Sequence, residues 1–165
     1  MISPTALPPA SIELNRLGIP HRIFMHPAPI HSLEQAAAER GQTPGQVVRS
    51  ILFRLGENEF VLVLAAGPGQ IPWVRLRRLL NQNRLTMASN AEVVQITGYQ
   101  PGTVSPLALK MPLRILADRR IFDHGEISLG SGQRDTAIIL TSQALLKAVP
   151  HLERVDLFTD QPETD

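Results

Sequence analysis

The stretch that most constrains the fold is residues 98–106, which read Gly-Tyr-Gln-Pro-Gly-Thr-Val-Ser-Pro. It is too rich in glycine and proline for a helix or a central strand. Pro106 lacks an N–H and biases Ser105 toward extended geometry, while Gly102 allows close approaches that side chains forbid. Apolar segments flank the stretch, so we expect an ordered loop. Two interpretations stay open: an ordinary turn, or a backbone cradle whose N–H groups hold an ester carbonyl or a ribose.

Length and composition limit the classes of protein that this chain can belong to. Its 165 residues are enough for one domain with a sizeable core. No apolar run reaches the roughly 18 residues of a membrane-spanning helix, and the N-terminus lacks the basic start of a signal peptide. The chain has no cysteine, which excludes disulfides, thiolate nucleophiles and cysteine metal sites. These features predict a cytoplasmic protein that binds no membrane.

The net charge of +1 is unevenly distributed along the chain. Residues 153–165 carry five acidic side chains and one arginine, which leaves residues 1–152 with 15 basic and ten acidic side chains. We therefore predict a domain over residues 1–152 and an acidic C-terminal tail over residues 153–165. The composition of the tail is compatible with disorder after Phe158.

Local patterns predict helices and strands in an α+β order. Helices are expected at residues 8–18, 32–40, 72–80, 90–97 and 141–149. Strands are expected at residues 21–25, 47–55, 60–66, 85–88, 113–117, 126–129 and 136–140. A turn at residues 56–58 joins the second and third strands into a hairpin. We predict a single-domain α+β fold with a mixed, mostly antiparallel, barrel-like sheet flanked by helices.

Arg49 is an unusual residue for its place in the chain. It lies inside the apolar segment 47–53, where a charge without a partner is costly. Strand alternation places it on the same face as Val47 and Ile51. An outward-facing arginine on a half-exposed strand and a cation lining a cleft both explain it. In a cleft, the guanidinium could hold a phosphate or polarise an ester carbonyl.

Ordinary hydrolase and metal motifs are absent. The chain has neither a Gly-x-Ser-x-Gly elbow nor a His-Glu-x-x-His helix. His26 and His31 are separated by two prolines and do not form a metal-ligand spacing, so we predict no metal and no cofactor. His26 is expected to be structural or to lie at the edge of a cleft. Ser105 has no nearby base and is expected to make loop hydrogen bonds.

The order and spacing of several short motifs resemble the YbaK/ProX family. This family comprises aminoacyl-tRNA editing domains, both free-standing and inserted in prolyl-tRNA synthetases. The resemblance extends over about residues 10–150 and implies the same α+β architecture. The matching segments are residues 26–27, 32–37, 47–52, 98–99, 102–106, 114–118, 130–134 and 138–140.

The chain departs from the family at polar site positions. Family members have an essential lysine where this chain has Arg49. Relatives of cysteinyl specificity have a tyrosine at the position of Phe24 and an aspartate at the position of Ala137. Gln133 replaces the lysine of the following turn. These departures bear on substrate identity and on catalytic competence.

The resemblance implies a trans-acting aminoacyl-tRNA deacylase that hydrolyses the ester of mischarged tRNA. The expected substrate is cysteinyl- or alanyl-tRNA-Pro, attacked by a positioned water without a protein nucleophile. The implied catalytic residues are Arg49, Gly102 and Pro106. The implied substrate-binding residues are Phe24, His26, Thr103, Val104, Ser105, Ser131, Gly132, Gln133 and Arg134. The alternative is a non-catalytic family member that binds tRNA, a nucleotide or a synthetase, and prolyl-tRNA synthetase is a further implied partner.

A basic segment is the predicted tRNA-binding surface. Residues 60–91 contain no acidic side chain. Their arginines are Arg75, Arg77, Arg78 and Arg84. The segment could follow a tRNA backbone, and the alternative is the solvated face of an amphipathic helix. Because Trp73 is predicted to lie in the core with Leu76 and Leu80, binding should involve phosphates rather than bases.

Overall fold

The computed structural model describes residues 6–158. Within this range the chain folds into five α-helices, eight strands and two short 3-10 helices. The helices are α1 (Pro9–Arg16), α2 (Leu33–Glu39), α3 (Trp73–Leu80), α4 (Asn90–Thr97) and α5 (Ser142–Ala148). The strands are β1 (Arg22–Met25), β2 (Val48–Gly56), β3 (Glu59–Ala66), β4 (Thr86–Met87), β5 (Arg114–Asp118), β6 (Glu126–Gly130), β7 (Thr136–Thr141) and β8 (Glu153–Val155). The 3-10 helices are Pro44–Gln46 and Arg119–Asp123.

The strands form two sheets. One sheet has the order β1-β7-β6 with both pairs antiparallel, and the other has the order β4-β2-β3-β5-β8. In the larger sheet β2 pairs antiparallel with β3 and β4, whereas β5 pairs parallel with β3 and β8. An isolated parallel bridge between Val47 and Ser128 connects the sheets. The predicted α+β fold with mostly antiparallel strands is therefore confirmed, although the strands do not close into a barrel.

Side-chain caps start three of the helices near the predicted positions. The hydroxyl oxygen of Ser32 accepts a hydrogen bond from the backbone N–H of Gln35, which begins α2. Thr141 caps α5 in the same way. In α4 the cap is Ser89, one residue before the predicted helix range, and Ser89 forms a reciprocal capping box with Glu92.

The central strand β3 separates two hydrophobic cores. Alternate residues point to opposite faces of a strand. Leu62 and Leu64 pack into the core shared with β6, β7 and α5, whereas Val61 and Val63 pack into the core beneath α3. These four side chains are fully buried. A strand buried on both faces explains why this segment is continuously apolar.

Two features differ from the sequence-based expectations. Trp73 is 38% exposed, with its ring edge-to-face against Phe53, so its prediction as a core residue is wrong. As the first residue of α3, it lies at the rim of the core that Leu76 fills. The C-terminal segment 153–158 joins the fold, since β8 pairs with β5 and Leu157 is fully buried. The predicted tail beyond Phe158 lies outside the described residues.

Candidate active site

A cavity of about 340 Å³ opens where α2, the start of β2 and the loop after α4 meet. Cavities of roughly 300–1,000 Å³ are typical of small-molecule sites. Ala36, Val48 and Leu129 form an apolar wall, and the loop residues 102–104 lie along the same cavity. The cavity therefore includes part of the glycine- and proline-rich stretch.

Arg49 lines this cavity from β2, and its guanidinium is bonded to the protein. Its Nε donates a hydrogen bond of 2.8 Å to the carbonyl oxygen of Gly67, and its Nη2 donates to the carbonyl oxygen of Gly69. Burial lowers the pKa of Arg49 below its ordinary value, but a guanidinium remains protonated at neutral pH. Two loop carbonyls thus hold the charged end of this cavity-lining residue in a defined place.

The loop contributes backbone donors to the cavity. Within residues 6–158, the N–H groups of Gly102 and Val104 have no hydrogen-bond acceptor. The N–H of Thr103, in contrast, donates to the carbonyl oxygen of Gln100 at 3.0 Å. Gly102 has a φ of +85°, a conformation that glycine adopts readily. Two amides without acceptors, in a cavity that Arg49 also lines, are suited to stabilising negative charge on a carbonyl oxygen.

Gly130 allows this loop to approach β6. A Cβ atom at Gly130 would lie 2.1 Å from the carbonyl oxygen of Val104, which is closer than van der Waals contact permits. Gly132, which the resemblance implies as a substrate-binding residue, also makes a close contact. A Cβ at Gly132 would lie 2.6 Å from Cε1 of Tyr99, so that glycine accommodates an aromatic ring.

Arg40 is a second cavity cation, which the sequence analysis missed. Its Nε donates to Nε2 of His26 at 3.0 Å, and its Nη1 donates to Oγ of Ser128 at 2.9 Å. Because Nε2 of His26 accepts, the Nδ1 atom carries the proton and donates to Glu39 at 2.9 Å. Burial lowers the pKa of Arg40. The sequence signal was the four-residue spacing that places Arg40 on the same helix face as Ala36.

Comparison with known proteins identifies the family. A family model described as an aminoacyl-tRNA editing domain matches residues 27–148, more than half of the chain. The chain belongs to this family. The predicted resemblance is confirmed, and the cavity with its cation and loop amides is the candidate active site of an editing domain.

Individual relatives include both free-standing and inserted editing domains. The multifunctional Ser/Thr-tRNA deacylase ProXp-y of Escherichia coli K12 is 29% identical over 144 residues, covering 84% of this chain and 86% of the relative. The proline–tRNA ligase of Bacillus licheniformis is 31% identical over 111 residues, covering 67% of this chain. This match spans 19% of the ligase, so the chain corresponds to about a fifth of such a protein.

Solved structures support the same assignment. A candidate trans-editing enzyme for prolyl tRNA synthetase superposes with a TM-score of 0.81 and 26% sequence identity. The match covers 93% of this chain and 99% of that structure. The fold of the editing domain is therefore shared over nearly its whole length.

The structure brings together some of the predicted site residues of the editing domain. Those lining the cavity are Arg49, Gly102, Thr103, Val104 and Gln133. The cavity lining does not include Phe24, His26, Ser105, Pro106, Ser131, Gly132 or Arg134.

The predicted residues outside the cavity have structural contacts. Pro106 is buried and lines a different cavity, beside Leu107. Ser105 is fully buried, and its Oγ accepts from the N–H of Leu107 at 3.2 Å. Ser131 is also fully buried, and its Oγ donates to the carbonyl oxygen of Thr136 at 2.8 Å. Arg134 is exposed.

Two further predicted residues outside the cavity lie in β1 or directly after it. The ring of Phe24 packs edge-to-face against His26, with centroids 4.9 Å apart. His26 is 8% exposed, and its Nε2 accepts a hydrogen bond from Arg40, which lines the cavity. His26 therefore helps to position a cavity residue. This placement agrees with the structural role expected for His26.

Ser50 and Asp135 are polar cavity residues that were not predicted. The Oγ of Ser50 is buried and has no hydrogen-bond partner among the described residues. The carboxylate of Asp135 has no hydrogen-bond or ion-pair partner within residues 6–158. A lone serine on a strand and an aspartate in a turn carry no distinctive sequence signal. Their unpartnered groups are available to a substrate.

The predicted tRNA-binding arginines lie on and after α3. Arg77 and Arg78 border a shallow groove with Asn81 and Gln82. Arg84 is exposed in the segment before β4. The Nε of Arg75 instead donates to the carbonyl oxygen of Asp156 at 2.8 Å, which ties α3 to the C-terminal segment. The four arginines therefore do not share one environment.

The described part of the chain contains no candidate metal site and no candidate membrane-spanning helix. Among the described residues, no cluster of three or more His, Cys, Asp or Glu side chains could hold a metal ion. No helix within residues 6–158 is long and apolar enough to cross a membrane.

Proposed function

We propose that this chain is a trans-acting aminoacyl-tRNA deacylase that hydrolyses the ester of mischarged tRNA. The observation that carries the proposal is that Arg49, with its guanidinium held by the chain, lines the same cavity as the loop residues Gly102 and Val104. The amides of these two loop residues have no acceptor among the described residues. The editing-domain match and the deacylase relative from Escherichia coli support it.

In the proposed reaction, water attacks the ester carbonyl carbon and the bond to the ribose oxygen breaks. The amides of Gly102 and Val104 would stabilise the negative charge that develops on the carbonyl oxygen. Arg49 would contribute a fixed positive charge and no proton transfer, because a guanidinium does not give up its proton readily. The products are the free amino acid and tRNA with its terminal hydroxyl restored.

The chemistry of the cavity supports a proposal for the substrate class. Its carboxylate, Asp135, would bind the α-ammonium group of the amino acid, and the free hydroxyl of Ser50 would contact a small side chain. We propose that the substrates are tRNA-Pro molecules charged with cysteine, alanine or serine. We add threonine because the relative from Escherichia coli is named as a Ser/Thr-tRNA deacylase. The surface of α3 would bind tRNA phosphates, and prolyl-tRNA synthetase is the proposed partner.

The test is release of amino acid from these charged tRNAs by wild type, Arg49→Ala and Arg49→Lys. Loss of one stabilising donor typically costs about 100-fold to 1,000-fold in rate, so Arg49→Ala should lose most activity. Arg49→Lys retains the charge and should retain or increase activity. Arg114→Ala is the control, because Arg114 is exposed and bonds Glu153 at 2.8 Å.

A non-catalytic role in binding tRNA, a nucleotide or a synthetase is the second candidate. It is favoured by the two hydrogen bonds that Arg49 makes to its own chain. In that case wild type would release no amino acid above background. Arg49→Ala would then weaken tRNA or nucleotide binding by about 1–3 kcal/mol. An Arg49→Ala variant that is as active and binds as tightly as wild type would contradict the role of Arg49 in both functions.

A further inference from the structure

The loop that holds Arg49 has few contacts of its own. Residues 67–70 read Gly-Pro-Gly-Gln and connect β3 to α3 without regular structure. Pro68, Gly69 and Gln70 are exposed. Two glycines make a segment costly to order. The position of the Arg49 guanidinium therefore depends on whatever keeps the Gly67 and Gly69 carbonyls in place.

One end of the loop is held by backbone contacts. The N–H of Gly67 donates to the carbonyl oxygen of Val47 at 2.9 Å. A Cβ at Gly67 would lie 3.6 Å from Cα of Gly45, so the chain packs closely there. No comparable backbone hydrogen bond holds Gly69 within the described residues.

At Gly69 the contact comes from the C-terminal segment. A Cβ placed on Gly69 would lie 3.4 Å from Cε1 and 3.8 Å from Cδ1 of Phe158, so the ring packs against this glycine. The guanidinium of Arg120 lies over the ring of Phe158, with its carbon atom 4.1 Å from the ring centroid. A cation over an aromatic face at this distance is attractive.

Arg120 is in turn fixed to the fold. Its Nε donates to Oδ2 of Asp118 at 3.1 Å, and its Nη2 donates to the carbonyl oxygen of Ala66 at 3.3 Å. Asp118 is 1% exposed and also accepts from the backbone N–H of Arg120. A continuous set of contacts therefore leads from the buried end of β5 through Phe158 to the loop carbonyl that Arg49 binds.

We propose that Phe158 is a positioning residue for Arg49. By packing on Gly69, the ring keeps the second carbonyl within reach of the guanidinium, so the C-terminal segment sets the position of the cavity cation. The catalytic consequence rests on the proposed deacylase function, whereas the positioning itself does not. Phe122 offers a matched control. Its ring centroid lies 5.7 Å from the guanidinium carbon of Arg154, and its side chain packs against the core shared with β6, β7 and α5.

The first experiment follows the side-chain Nε–H signal of Arg49 by NMR, assigned by its loss in Arg49→Lys. We expect Phe158→Ala to shift the signal and speed its exchange with water, because the loop carbonyls move. Phe158→Tyr should preserve the signal, and Phe122→Ala should leave it unchanged. An unaltered signal in folded Phe158→Ala overturns the proposal. If that variant does not fold, Phe158→Leu tests the same contact with a smaller change.

The second experiment measures kcat/KM for deacylation in a double-mutant cycle. Small displacements of a catalytic group can cost up to about 100-fold in rate, so we expect Phe158→Ala to lower kcat/KM by about 10-fold to 100-fold. In the Arg49→Ala background the same change should have no further effect. If Phe158→Ala lowers kcat/KM by the same factor in the Arg49→Ala background as in wild type, the proposal is overturned. Absence of deacylation in wild type would refute the proposed function alone, since the NMR experiment still decides the positioning role.

Discussion

At the scale of single residues, Arg49 stands where the resemblance implies a lysine, and its surroundings suit an arginine. The forked guanidinium donates from two nitrogens to two carbonyl oxygens, those of Gly67 and Gly69. A lysine carries its charge at one point and lacks this planar geometry. The glycine-containing loop therefore provides acceptors that suit an arginine, and the charge at the cavity is preserved.

Gly102→Ala should damage activity far more than stability. A Cβ at Gly102 meets no atom within 4 Å, so the substitution strains only the backbone, at a φ of +85°. Gly18→Ala is a matched control, because Gly18 has a φ of +71°, no atom within 4 Å of its Cβ and a position at the end of α1. Both variants should lose similar stability in urea unfolding, and deacylation should fall by about 100-fold only in Gly102→Ala. Equal activities would make Gly102 an ordinary turn residue.

At the scale of elements, α3 shows where a correct helix prediction gave a wrong side-chain environment. The predicted range 72–80 agrees with Trp73–Leu80, and Leu76 and Leu80 are buried as expected. Trp73, at the first turn, remains 38% exposed. An exposed aromatic ring near arginines can stack on a base, so recognition of phosphates alone is no longer required.

The basic surface should make tRNA binding strongly dependent on salt. Replacing Arg77 and Arg84 by alanine should reduce the slope of log affinity against log salt by roughly one to two, because each phosphate contact releases counterions. Binding can be followed by the fluorescence of Trp73, the single tryptophan of the chain. The control is a double variant, Arg22→Ala with Arg114→Ala. It removes the same amount of positive charge, but at two arginines that form ion pairs with glutamates. An unchanged slope in the first variant would remove α3 from the binding surface.

At the scale of the whole molecule, the C-terminal segment completes the larger sheet. The predicted domain boundary at residue 152 separates β8, Leu157 and Phe158 from the remaining fold. In the structure β8 extends the sheet beyond β5, and Leu157 fills the core beneath α3. We propose that the folding unit extends to Phe158 and that an acidic tail, if separate, begins after it.

Two truncations test this boundary. A chain ending at residue 158 should melt close to the full-length protein. A chain ending at residue 152 loses a fully buried leucine, and such losses typically cost about 2–5 kcal/mol. Its melting temperature, measured by circular dichroism, should therefore fall by roughly 5–15 °C. Equal melting temperatures for the two truncations would support the boundary at residue 152.

The sequence by itself was sufficient for the family, the α+β class and most element bounds. These properties depend on local signals, namely hydrophobic periodicity, capping residues and glycine or proline at chain reversals. The hairpin of β2 and β3 illustrates this, because its turn residue Asn58 adopts a φ of +59° between two apolar strands. The order of the short motifs indicated the family, and the match to the editing-domain model confirmed it.

Tertiary structure alone decided which side chains share the cavity. Arg40, Ser50 and Asp135 meet there because the two sheets join near Val47 and Ser128, residues far apart in the chain. Pro106 and Ser105 are adjacent to the cavity loop in sequence, yet the chain carries them into the interior. Periodicity predicts which face of an element is buried, but not which other element covers it. That choice depends on long-range packing, which no local pattern encodes.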